Sequence, residues 1–191
     1  MSIKLRGLLV VIVAAAACFG TARGQDAGQP VKLTPEHKAL ANDVGVWDAD
    51  MFVYVPGMKE PIAAGHGVET KTLLSGGLWA LSEFKGDFAA VPYEGRGQIG
   101  FDPAKGKYVS SWIDSASAKL LVQEGTYDEK TKTVTMIGEG DDPRGGSTAT
   151  LRTTVHQPDA ETRVLTLSIK PKGGKDSEYV KFFEIRYKKQ K

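Results

Sequence analysis

Residues 93–115, YEGRGQIGFDPAKGKYVSSWIDS, read as two β-strands joined by a turn. Tyr93, Gly95, Gly97, Ile99 and Phe101 share one parity and Glu94, Arg96 and Gln98 the other, the period-two pattern of a strand with two unlike faces. Asp102-Pro103-Ala104-Lys105-Gly106 then supplies turn chemistry: an Asp that caps its own backbone, a Pro that presets φ and a Gly free to take positive φ. The chain resumes as a second strand through Tyr108, Trp112 and Asp114.

The same unit recurs on both sides. Upstream, residues 46–55 end at Pro56-Gly57, residues 62–72 precede Gly76-Gly77, and residues 78–85 end at Gly86-Asp87. Downstream, residues 119–127, 133–140, 148–156, 163–170 and 178–187 are separated by segments rich in Asp, Gly and Pro. This predicts about ten strands at near-even spacing with no helical period between them. A meander of this kind must hide its edges, and closure removes them altogether, so the expected fold is all-β: an antiparallel up-and-down barrel of about ten strands. Such a barrel is wide enough to enclose a ligand-sized space.

Before the strands, Thr34-Pro35-Glu36 opens a short helix, with Thr as N-cap, Pro at the first helical position and an acidic residue facing the dipole. Leu40 and Val44 lie on one face and Gly45 stops it. Residues 25–33 read as a flexible leader and residues 34–188 as one domain. Residues 1–24 have the form of a secretory signal peptide: Lys4 and Arg6, an apolar run over 8–17, and Ala22-Arg23-Gly24 as a small-x-small cleavage site. Ala15-Ala16-Ala17-Cys18 offers an alternative, a lipobox whose Cys18 would carry a lipid anchor. The expectation is export to the periplasm or beyond, with no transmembrane segment in the mature chain. Cleavage after Gly24 would leave no cysteine, and hence no disulfide and no thiolate nucleophile.

Composition is that of a globular domain, 41% hydrophobic and 25% charged over 191 residues. Of 25 Lys and Arg against 23 Asp and Glu, three basic residues leave with residues 1–24, so 22 stand against 23 and the net charge becomes −1. A nucleic-acid partner needs a basic surface, and this balance gives it no support.

Gly45-x-Trp47, where the helix meets the first strand, resembles the opening of lipocalin and other calycin barrels. That resemblance implies that Arg186, in the last strand, packs over Trp47 and closes one end. The chain also resembles an uncharacterised bacterial family of secreted lipocalin-like domains of unknown function. The landmarks are Gly76-Gly77-Leu78-Trp79, Tyr93-Glu94-Gly95-Arg96-Gly97, Gly100-Phe101-Asp102 and Trp112-Ile113-Asp114-Ser115. Among calycins, nitrobindin-type barrels hold haem through a His, but the last strand here has none and Trp47 is followed by Asp48-Ala49-Asp50, which argues against haem.

Several patterns carry a sharp and a plain meaning. Gly95-x-Gly97-x-x-Gly100 matches a dinucleotide fingerprint in letters, yet it lies within a strand, so its glycines are read as places where a ring or backbone approaches closely. Asp114-Ser115 lacks a nucleophile elbow and is read as a strand end capping a turn. The acidic run Glu139-Gly140-Asp141-Asp142 is read as a hairpin tip, and His37, His66 and His156 as isolated surface or rim residues, so no metal and no cofactor are expected. From the aromatic set, Trp79, Tyr93 and Trp112 are the candidate pocket walls, with Arg96 and Asp114 as polar contacts.

The resulting expectation is a barrel that binds a small apolar ligand without catalysis. One alternative is a calycin-type enzyme, an isomerase or hydrolase pairing Asp114 with His66 or Glu94 with Arg96; another is a cell-envelope interaction module or lipoprotein.

Overall fold

The computed structural model describes residues 31–145 and 148–191. The expected signal peptide, Cys18 and most of the expected leader lie outside the described residues.

Helix α1, Pro35–Ala39, is only five residues long and runs directly into a 3-10 turn, Leu40–Asp43. Thr34 caps it as expected, and the reciprocal partner is His37, whose Nδ1 accepts from Thr34 N at 3.2 Å. His37 is buried, with its ring edge-on to Phe101 at 5.8 Å, which corrects the expectation of an isolated surface residue.

Ten strands follow: β1 Gly45–Val53, β2 Ile62–Leu73, β3 Trp79–Phe88, β4 Val91–Asp102, β5 Lys107–Asp114, β6 Ser117–Asp128, β7 Thr133–Asp141, β8 Thr148–His156, β9 Thr162–Pro171 and β10 Val180–Lys189. Each pairs antiparallel with its sequence neighbours, and β1 pairs with β10, so the sheet is a closed barrel without a free edge. Gln190 N donates to Val46 O at 2.8 Å and extends the closure past the end of β10. Among the described residues no helix is long and apolar enough to cross a membrane.

Register fixes which side chains face inward. Gly95 pairs with Asp114, Gly97 with Trp112, Ile99 with Ser110 and Phe101 with Tyr108, so the odd members of β4 and the even members of β5 share the interior. Trp47, Ala49, Met51, Phe84, Ile185 and Tyr187 form one buried cluster; Leu40, from the helix, joins Ala80, Tyr108 and Met136 in a second. The helix thereby caps the rim of the barrel beside the starts of β3 and β5 and the end of β4, the near rim below. The opposite, far rim carries the β1–β2, β3–β4, β5–β6, β7–β8 and β9–β10 connections.

Aspartates build the turns by accepting from backbone N–H groups two residues on: Asp102 from Ala104, Asp128 from Lys130, Asp142 from Arg144 and Asp159 from Glu161, all at 2.8 to 2.9 Å. One turn differs from expectation. Gly86-Asp87 is not a turn: β3 continues to Phe88, and the reversal falls on Ala89-Ala90, both at positive φ, 51° and 62°. Gly86 serves another purpose, since a Cβ there would stand 2.5 Å from Gly67 Cα on the neighbouring strand.

Candidate ligand-binding cavity

The barrel encloses a cavity of about 1040 Å³ whose lining runs from Asp43 and Arg163 at the near rim to Asp114, Lys119 and Pro143 at the far rim. Volume on this scale follows from the inward residues themselves. Gly65, Gly67, Gly86, Gly95, Gly97, Gly125, Gly138 and Gly140 all occupy inward register positions, so much of the wall is backbone. The wall formed by β6 to β9 is aliphatic, with Leu121, Val134, Met136, Leu151, Val155, Leu165 and Leu167. The wall toward the far end of β3, β4 and β10 is aromatic: Phe84 meets Tyr93 at 5.7 Å and Phe88 meets Phe183 at 5.7 Å, both edge-on.

Trp112 lies on that aromatic side with its ring against β4. A Cβ at Gly95 would overlap its Cζ2 and stand 2.9 Å from Cε2 and Cη2, and one at Gly97 would stand 2.5 Å from Cε3. The two glycines are therefore the bed on which the indole rests, the close approach expected of them. Trp112 Nε1 donates to Asp114 Oδ2 at 3.1 Å, while Asp114 Oδ1 accepts from Ala116 N at 2.9 Å. Asp114 thus ends its strand, caps the turn and orients the indole at once. Tyr93 sits beside this pair; burial first, and then the charge of Asp114, push its phenol well above the ordinary tyrosine range, so it stays protonated as a donor.

At the near rim a buried ionic group ties helix to barrel. Arg163, 2% exposed, is bonded to Asp43 in the 3-10 turn and to Glu69 on β2, and Lys71 also reaches Asp43. Its guanidinium is sandwiched between Trp47, 4.4 Å to the ring centroid, and Tyr187, 4.1 Å. Trp47 is fully buried and donates from Nε1 to Asp43 O at 3.1 Å. Burial opposes the charge on Arg163, but Glu69 and Asp43 outweigh it and hold the guanidinium above its usual range.

Three sequence-derived site residues are placed elsewhere. Arg186 does not cover Trp47: it alternates with inward Ile185 and Tyr187, so it projects outside, bonds Glu184 Oε1 at 2.7 Å and lies over Phe52 at 4.2 Å. The closing cation is Arg163, which the stripe Arg163-x-Leu165-x-Leu167-x-Ile169 marks by parity. Trp79 is on the outer face, where it covers Gly100 of β4. Arg96 is outside too, bonded to Glu83 at 3.1 Å. Tyr93, Trp112 and Asp114 are brought together at the cavity wall.

Neither of the residue pairs considered for catalysis converges. His66 projects outward to Asp50 at 2.9 Å, away from Asp114, and Glu94 and Arg96 are on the solvent face. His156 is at the near rim, 2.9 Å from Thr131 O.

A family model described as "Protein of unknown function (DUF1579)" matches residues 32–189. No curated protein matches the sequence. Among solved structures, Rv2717c from M. tuberculosis is similar, with a TM-score of 0.60 at 14% identity, covering 84% of this chain and all of that one. The S-type phycobiliprotein lyase CPES from Guillardia theta is similar with a TM-score of 0.52 at 12% identity, covering 81% of this chain and 92% of that one. At these identities the likeness is one of fold: a calycin-like barrel.

Proposed function

We propose that this chain, which belongs to the DUF1579 family, holds a small, largely apolar molecule inside its barrel and performs no covalent chemistry on it. The observation that carries the reading is the cavity of about 1040 Å³, at the upper end of the range for ligand sites and lined mostly by aliphatic and aromatic side chains. Polar groups converge at its aromatic end, where Trp112 Nε1 donates to Asp114 beside the protonated Tyr93 phenol, an arrangement suited to orienting a ligand. Of the pairings that an acid–base mechanism would have used, Asp114 and His66 are on opposite faces of the wall, and Glu94 and Arg96 are both outside the cavity.

The test is native mass spectrometry of the protein purified from its own host, joined to a titration with the neutral fluorophore N-phenyl-1-naphthylamine. A co-purifying small molecule, or saturable enhancement of fluorescence near one equivalent, supports the reading. A chain that carries nothing and leaves the fluorophore dark overturns it.

Export is part of the same proposal and rests on Lys4, Arg6, the apolar run over 8–17 and Ala22-Arg23-Gly24. The mass of the mature N-terminus decides it: a chain starting at Gln25 supports cleavage, a lipidated Cys18 supports the anchored alternative, and retention of residues 1–24 overturns both.

A further inference from the structure

We propose that the occupant of the cavity carries a flat, conjugated ring that stacks on Trp112, in preference to a purely saturated group; this rests on the cavity reading above. Two inward positions in succession on β4 are glycine, and both lie under the same indole. Any larger residue at either position would lift the ring into the lumen, so the glycines set the plane of the indole along the wall. The bond from Nε1 to Asp114 then fixes its rotation within that plane. With one face on backbone and the side chain lining the cavity, the opposite face is turned toward the lumen. Among the described residues no aromatic ring stacks on it, whereas Phe84, Phe88, Tyr93 and Phe183 pair with one another edge-on or tilted.

A wall meant only to be apolar needs no such arrangement, as the Leu- and Val-lined half opposite demonstrates. A preset indole plane offers an offset stack to another ring at little ordering cost, because the side chain is already immobile. The edge of that ring nearest Asp114 meets a carboxylate and the Tyr93 phenol, so it presents a donor or a neutral group there and not a second carboxylate.

The experiment uses the full chain and two neutral probes of one carbon skeleton, 2-naphthalenemethanol and its fully hydrogenated counterpart, each measured by displacement of N-phenyl-1-naphthylamine. The hydrogenated probe is the more apolar, so burial alone favours it. The expected result is binding of the planar probe about tenfold tighter than the saturated one. Trp112→Leu should erase that preference, and Trp112→Phe should restore much of it. Equal affinity of both probes for the native chain, or a preference unchanged in Trp112→Leu, overturns the stacking proposal but leaves a binding cavity standing. If neither probe nor the fluorophore binds, the cavity reading falls and the stacking proposal with it.

Discussion

Arg163 stacks on Trp47 at 4.4 Å although the two residues lie on strands that are not neighbours in the barrel, β9 and β1. The guanidinium reaches across β10 and meets Tyr187 on the way. Removing it leaves buried Glu69 with only the more distant Lys71, at 4.0 Å, the costly half of breaking an interior ion pair. Arg163→Met should therefore destabilise the barrel by about 3 to 5 kcal/mol in urea unfolding. Arg186→Ala, on an exposed side chain, should cost no more than about 1 kcal/mol. A reversal of that order would return the closing role to Arg186.

The same cluster gives the protein an acid limit. Burial raises the pKa of Asp43, but Lys71 and Arg163 outweigh it and hold the carboxyl below the usual aspartate range. A folded pKa below the unfolded one means that the contribution is fully present above about pH 4 and fades as pH falls through the folded value. The stability gap between the native chain and Asp43→Asn should be widest at neutral pH and narrow below pH 4. Thermal melts at a series of pH values check this, and a gap that stays constant would remove Asp43 from the account.

Ala89 and Ala90 turn the β3–β4 hairpin with φ positive at both positions, where an L-residue with a Cβ is strained. Asn-Gly is the sequence suited to this geometry. Ala89→Asn combined with Ala90→Gly should stabilise the protein by about 1 kcal/mol without changing the affinity for the fluorophore. Chemical denaturation measures the first and titration the second.

Gly95 and Trp112 should be energetically coupled. Gly95→Val drives a side chain into the indole and should cost about 1 to 3 kcal/mol. In a Trp112→Ala background the same change meets space, so its cost should fall by more than 0.5 kcal/mol, a coupling that a double-mutant cycle resolves. Additive effects would show that the indole does not rest on Gly95.

Much of this architecture was legible in the residues because a strand's period of two is a strong signal when one face is buried. The alternation through Tyr93, Gly95, Gly97, Ile99 and Phe101 appears unchanged in the register of β4 against β5. The Asp-based turns were equally plain, since their chemistry is local. The face that a large residue takes is less legible than its strand. Trp79 looked like a wall of the pocket because it is aromatic, yet Ala80, Ser82 and Phe84 hold the inward parity of β3 and Trp79 packs on Gly100 outside. The resemblance to calycins points to Arg186, but Ile185 and Tyr187 on either side of it hold the interior parity of β10. Gly86 looked like a turn because glycine is ambiguous: the residue that permits a reversal also permits two backbones to touch.

The closure of β10 on β1 has a topological consequence. The barrel wall begins and ends at the same rim, the one beside the helix, so among the described residues the opposite rim consists of five connections and neither end of the wall. Each of those connections can change in length or composition while the hydrogen-bonded cylinder stays intact, because none of them carries the seam. A fusion or surface tether attached after Lys189 would leave from the helix side and keep the hairpin side unobstructed. The seam and the variable face of this molecule are separated by the full length of its strands.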